Sequence, residues 1–240
     1  MRSSDGESSQ FADARGPLAA CLACVVALIA LTFLAYEVGP SARLDARLLA
    51  KLAAHHHTPL GTLADGIAHL ADPLPLLILL GGACGIALWR RRPREAFAAA
   101  VVVAGANVTT ELLKVALAHP RYQPVVNPEE VGYAAFPSGH ATAAASIAVA
   151  YLLVVPARWR AATALLGAAF VFAVGCSVVV LDWHFPSDVL GGLLVAAGWG
   201  FAALAVLRAV GPPGDAVGRG WGRPPPAHRP RATPAAPPSP

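Results

Sequence analysis

Phe136-Pro137-Ser138-Gly139-His140 opens the stretch from Ala135 to Asp188, and His184-Phe185-Pro186-Ser187-Asp188 closes it. Between these polar clusters lie two apolar runs, roughly 143–156 and 161–181, joined by the basic turn Ala157-Arg158-Trp159-Arg160. Read as two membrane-spanning helices, the runs form a hairpin that returns both clusters to one face of the bilayer. Just upstream stand Lys114 and, seven residues on, Arg121. Two cations, a Ser-Gly turn, two histidines and an aspartate at one surface suit the handling of a phosphate.

The rest of the chain supports the membrane reading. Of its 240 residues 56% are apolar and only 13% charged, with a mean hydropathy of +0.56, well outside the range of an average soluble domain. A bilayer core about 30 Å thick needs about 20 apolar residues per helix. Six segments qualify as spans: 17–38, 73–89, 96–117, 138–156, 161–182 and 188–209. The expected fold is therefore all-α, a polytopic six-transmembrane-helix bundle with the motif residues at the extracytoplasmic face. Residues 1–16 read as a disordered cytoplasmic N-terminus, 17–210 as the membrane domain and 211–240 as a disordered Pro-rich cytoplasmic tail. That tail holds ten prolines in its thirty residues and too little apolar surface to order itself.

The formal charge is +4, but where the cations sit matters more than their sum. With the N-terminus placed inside, thirteen of the eighteen Lys and Arg fall on the inner side, and Arg43, Arg47, Lys51, Lys114 and Arg121 remain. This bias puts both termini in the cytoplasm and the clusters outside, in a multi-pass protein of the cell membrane. No nucleic-acid partner is required, and oligomeric state is open.

Other residues receive plainer readings. Cys21, Cys24, Cys84 and Cys176 all fall in apolar spans and read as small buried hydrophobes. Between spans, 42–54 carries Leu44, Leu48, Leu49 and Leu52 at helical spacing against Arg43, Arg47 and Lys51, which suits a helix lying in the interface. His55-His56-His57 reads as a solvated turn, and Glu129-Glu130 as part of a polar loop. Asn107, Thr109, Thr110, Glu111 and Lys114 share the outer half of the third span, where polar groups normally face a bundle interior or a watery site. Glu111 and Lys114, at i and i+3, either pair with each other or leave the lysine to serve a site.

The chemistry follows from the two clusters. A helix beginning at Pro137-Ser138-Gly139 presents unpaired N–H groups and a partial positive charge to an anion, and glycine lets that anion approach. Ser138 adds a hydroxyl, and His140 is in reach to protonate a leaving oxygen. His184 and Asp188, four residues apart across a helix start, allow the carboxylate to hold one ring nitrogen while the other attacks phosphorus.

These residues resemble the membrane branch of the type 2 phosphatidic acid phosphatase superfamily, the lipid phosphate phosphatases, over a core from about Glu111 to Gly192. That family's first motif is Lys, six residues, then Arg-Pro; Lys114 and Arg121 match, with Tyr122 in place of the proline. The second motif is complete at Pro137, Ser138, Gly139 and His140. The third, Ser-Arg, five residues, His, three residues, Asp, is met by Ser177, His184 and Asp188, with Val178 at the arginine position. The resemblance implies His184 as the nucleophile, Asp188 as its orienting partner and His140 as acid and then base. It implies Lys114, Arg121, Ser138 and Gly139 as the phosphate-binding set, with no cofactor and no metal. The implied partner is a lipid phosphate or pyrophosphate entering from the bilayer.

Val178 is the main departure. Loss of a donor to a developing phosphate charge costs about 2–4 kcal/mol of transition-state binding. It keeps in view a catalytically impaired lipid-phosphate binder or carrier, beside a lipid phosphotransferase that shares the same residues. An intramembrane serine hydrolase built on Ser138 fits less well, because it has no use for Lys114 and Arg121. Asp182 adds negative charge near the cluster, and Trp183 reads as an interfacial anchor in preference to a wall for the headgroup.

Overall fold

The computed structural model describes the backbone of residues 4–118 and 134–210, with side chains from residue 14 onward. Eight helices and no strand occur among them: α1 (Ser4–Tyr36), α2 (Gly39–Ala53), α3 (Pro59–Ala68), α4 (Pro73–Trp89), α5 (Pro93–Ala116), α6 (Gly139–Val154), α7 (Ala157–Val180) and α8 (Pro186–Val210). A single 3₁₀ turn, His69–Ala71, joins α3 to α4.

The six expected spans coincide with α1, α4, α5, α6, α7 and α8, but they are not six equivalent crossings. Ala14–Tyr36, α5, α7 and α8 are each long and apolar enough to cross a membrane. Residues Pro59–Ala71 and α4 meet that test together, bent by 52°. The bend falls at Asp72, whose extended backbone (ψ 160°) is what a following proline demands. α6 has 16 residues, a rise of about 24 Å, and is shorter than a bilayer core is thick. α1 also starts at Ser4, well upstream of the expected boundary at residue 17.

α6 is the centre of the bundle, packing on α4, α5, α7 and α8. Its sequence explains why: Ala141, Thr142, Ala143, Ala144, Ala145 and Ser146 are all buried, and such small side chains let four neighbours approach closely. Gly192 on α8 is the tightest example, since a Cβ there would lie 2.7 Å from the Ser138 carbonyl and 2.8 Å from Thr142 Oγ1. Asn107, Thr109 and Thr110 of the third span turn inward and tie helices together. Thr110 Oγ1 meets Thr142 Oγ1 at 2.9 Å, Asn107 Nδ2 donates to Ser146 Oγ at 3.4 Å, and Trp199 Nε1 donates to Thr109 Oγ1 at 3.0 Å. Large apolar side chains cover the outside, with Leu165, Leu166 and Phe172 each more than 70% exposed. A bilayer accounts for an apolar surface of that extent.

Between the first two spanning segments, α2 occupies the expected interfacial helix and α3 is an addition that packs against α7. Pro59, Gly61 and Gly66 interrupt the apolar periodicity of α3, which is why the pattern does not announce it. The cysteines differ from expectation: Cys21, Cys24 and Cys84 are half-buried and Cys176 is exposed.

Gly192→Ala forces its Cβ onto backbone at the α6–α8 contact, and a loss of about 1–3 kcal/mol is expected from such overpacking. The measurement is the apparent melting midpoint of the purified protein in detergent, which falls relative to Gly198→Ala, where the Cβ meets only Cys24 at an ordinary 3.7 Å.

Candidate active site

The α8 N-terminus is held by two carboxylates. Pro186 supplies no N–H, Ser187 donates its N–H to Asp45 Oδ1 (3.0 Å) and its hydroxyl to Asp45 Oδ2 (2.6 Å), and Phe185 donates its N–H to Asp188 Oδ2 (2.9 Å). Asp188 thus reaches back to the residue before the helix, as a third-position acid does in a capping box. It is fully buried, and its Oδ2 also lies 3.5 Å from His184 Nδ1, at ion-pair distance and beyond a short hydrogen bond. The Asp188 carbonyl accepts a backbone bond from the Ser138 N–H at 2.9 Å. That bond joins the Pro137-Ser138-Gly139-His140 cluster to the His184–Asp188 cluster, which lie 46 residues apart in the chain when counted from Ser138 to His184.

His184 is delivered by the way α7 stops. Trp183 N–H bonds the Val178 carbonyl (3.0 Å) and Asp182 N–H bonds that of Val179 (3.1 Å), the paired pattern of a Schellman cap. Asp182 occupies the left-handed position with φ 62°, where glycine is usual, and is buried. The His184 N–H also donates to the Val178 carbonyl, at 3.2 Å. Val178 itself is fully buried in an apolar cluster with Ala46, Leu49 and Phe185, and Trp183 packs against that cluster. At this position the side chain serves packing and the backbone sets the imidazole.

Ser138 is the N-cap of α6, its Oγ accepting from the Ala141 N–H at 3.3 Å, and it is fully buried. Lys114 pairs with Glu111 at 2.8 Å and yet stands over the motif, since a Cβ on Gly139 would lie 3.1 Å from its Nζ. Both readings of Lys114 therefore describe the same side chain. Its ammonium and the His184 imidazole are within electrostatic reach of His140. Arg121 lies outside the described residues.

Sequence reading passed over Asp72 and Asp45. Asp72, at the bend before α4, places Oδ1 3.3 Å from His140 Nε2. Trp183 is no simple anchor: its ring centroid lies 5.4 Å from that of His140 and 6.2 Å from that of His69, so it walls the site. The signal for Asp72 was slight, an acid before a proline at a span boundary. Asp45 was hidden on the interfacial helix among its cations. An apolar groove of about 580 Å³, lined by Leu70, Pro75, Ile78, Ile147, Tyr151 and Phe170, begins beside Asp72 and runs along α4, α6 and α7.

The sequence profile of the PAP2 superfamily matches residues 95–212, which contain the described parts of all three motifs. The chain belongs to the PAP2 superfamily. No curated protein sequence matches it. Among solved structures, the transmembrane PAP2-type phosphatidylglycerolphosphate phosphatase from Bacillus subtilis is similar in fold, with a TM-score of 0.64 at 21% identity over 78% of this chain and 95% of that one. The protein is thus a multi-pass, all-helical member of a membrane phosphatase superfamily.

A carboxylate facing Nε2 favours the tautomer protonated there and fixes the ring's orientation. Asp72→Asn is expected to lower turnover on a lipid phosphate by up to about 10², part of the contribution of a positioned acid–base group, with KM nearly unchanged and the alkaline limb of the kcat/KM–pH profile, which a general acid sets, displaced. Equal losses in wild-type and His140→Ala backgrounds would refute a route through His140.

Proposed function

We propose that the protein hydrolyses a lipid phosphate or pyrophosphate through a phosphohistidine on His184, without a metal. The observation that carries this reading is the Ser138 N–H to Asp188 carbonyl bond, with Lys114 standing over Gly139 beside it. Together these bring three separated pieces of chain to one pocket that suits an anion. In the first half-reaction the free nitrogen of His184 attacks phosphorus, forming an N–P bond as the bond to the lipid oxygen breaks. His140 gives its proton to that departing oxygen. In the second, His140 takes a proton from water, the resulting oxygen attacks phosphorus, the N–P bond breaks and inorganic phosphate leaves.

Asp188 faces Nδ1 of His184 and so favours attack through Nε2. Lys114, Arg121, the Ser138 hydroxyl and the N–H groups at the start of α6 are the assigned holders of the non-bridging oxygens, where charge grows in the transition state. The groove along α4, α6 and α7 supports a substrate with an apolar tail, because it offers hydrocarbon contact starting from Leu70 and Pro75, which stand on either side of Asp72 in the chain. The location of the site on the outer face and of both termini in the cytoplasm belongs to the same proposal and rests on the distribution of cations.

One observation favours a second reading. Val178, where the family pattern has arginine, is fully buried among apolar groups, so the site lacks a donor at that position. A lipid-phosphate binder or carrier would keep the pocket and release no phosphate. A phosphotransferase would share the first half-reaction and replace water by another acceptor. The serine hydrolase loses ground, since it gives no role to Lys114, which stands over Gly139.

Purified protein given a panel of lipid phosphates in the presence of chelator is expected to release phosphate. His184→Ala should reduce the rate by at least about 10³, the scale on which loss of a nucleophile acts, and His140→Ala by about 10²–10⁴. Saturable binding with no release identifies the carrier, and activity that survives loss of His184 rejects the nucleophile.

A further inference from the structure

The helix that carries Asp188 begins on a sequence that cannot supply its own cap. Pro186 has no N–H, and Phe185 before it has no side-chain acceptor, so the Ser187 N–H at the second position of α8 needs an oxygen from elsewhere. Asp45 supplies it from α2, 142 residues away in the chain. One carboxylate oxygen accepts the Ser187 N–H at 3.0 Å and the other accepts its hydroxyl at 2.6 Å, so Ser187 is gripped at two points. The Asp45 side chain is buried, and the N–H groups at the start of a helix stabilise a negative charge placed there. On the same face of α2, Ala46 and Leu49 pack in one cluster with Val178 and Phe185. α2 therefore touches both helices that flank the segment from His184 to Asp188: its apolar side chains bear on the end of α7 and its carboxylate on the start of α8.

We infer that Asp45 is a positioning residue for His184, acting through Ser187 and the first turn of α8 to hold Asp188 against the imidazole. His184 is fixed from the α7 side by the Val178 carbonyl, and Asp188 from the α8 side by the turn that Asp45 anchors. The 3.5 Å between His184 Nδ1 and Asp188 Oδ2 lies at the edge of hydrogen-bond range, so a small rotation of that turn makes or breaks the contact. The kinetic consequence of this inference rests on His184 being the nucleophile proposed above; its consequence for the protonation of the imidazole does not.

Two readouts test it, one of them without turnover. In nitrogen NMR of the full-length protein in detergent, with isotope-labelled histidine at alkaline pH, the His184 signal is assigned by its loss in His184→Ala. It is expected to be that of the tautomer protonated at Nδ1, the nitrogen facing Asp188. Asp45→Ala should move it toward the tautomer protonated at Nε2. Asp45→Asn still offers an acceptor to the Ser187 N–H and a donor to its hydroxyl, and should restore the wild-type signal. Release of phosphate from a lipid phosphate follows the same order: Asp45→Ala lowers kcat by about 10–10²-fold with KM within about twofold, the scale on which misalignment acts, and Asp45→Asn stays within about threefold of wild type. Ser187→Ala gives up only the hydroxyl bond, moves both readouts the same way by less, and carries the test if Asp45→Ala does not fold. A His184 signal unmoved by Asp45→Ala and Ser187→Ala overturns the inference. So does an Asp45→Asn variant as impaired as Asp45→Ala, because charge and not the grip on Ser187 would then be at work. Wild-type protein that releases no phosphate overturns the hydrolase reading, and the histidine signal then decides this inference by itself.

Discussion

One backbone hydrogen bond, from Ser138 N–H to the Asp188 carbonyl, is the constraint on which the functional end of the molecule depends. It joins the start of α6 to the start of α8 in an apolar setting, where a backbone group left unpaired costs about 1–3 kcal/mol. Around it further polar groups at these two helix ends are also satisfied from within the protein. Ser138 Oγ takes the Ala141 N–H, Asp188 takes that of Phe185 and Asp45 takes that of Ser187. Satisfaction of the helix termini and assembly of the site are therefore one event.

The same economy governs the histidines. His184 is oriented by a carboxylate four residues on and by the Val178 carbonyl, which also closes the end of α7. His140 rests between the Asp72 carboxylate and the Trp183 ring. Burial grades across the site: the side chain of Asp188 is 0% exposed, that of His184 11%, Lys114 22% and His140 28%. With the proposed nucleophile deep beside its orienting acid and the proposed proton carrier and cation nearer the opening, this order would suit a phosphate entering head first.

Close approach of α6 to its neighbours is what makes this geometry possible. Alanine, serine and threonine on α6 and glycine on α8 remove the bulk that would hold the helix starts apart. Threonine and asparagine bonds from α5 then fix the register, because a one-residue slide would strand buried hydroxyls in hydrocarbon. Nearer the other end of the bundle α6 and α8 stay as close, since a Cβ on Gly200 would lie 2.7 Å from Val149 Cγ1.

Composition alone determined that the chain is helical and membrane-bound, and local spacing is what proposes Lys114, Ser138, Gly139, His140, His184 and Asp188 as its chemical residues. Hydrocarbon length and i, i+4 geometry are local properties, and they survive whatever the fold does. Tertiary structure decided the rest. Span two is bent at Asp72, α3 lies against α7, and Asp45, Asp72 and Trp183 join the site from segments whose local pattern speaks only of interface or boundary. Val178 shows the limit most clearly: by spacing it is a missing arginine, and by packing it is a buried cap residue whose carbonyl aims His184. A side chain's partners across the bundle depend on which helix faces it at a given depth, and that is settled by the packing of all the helices at once.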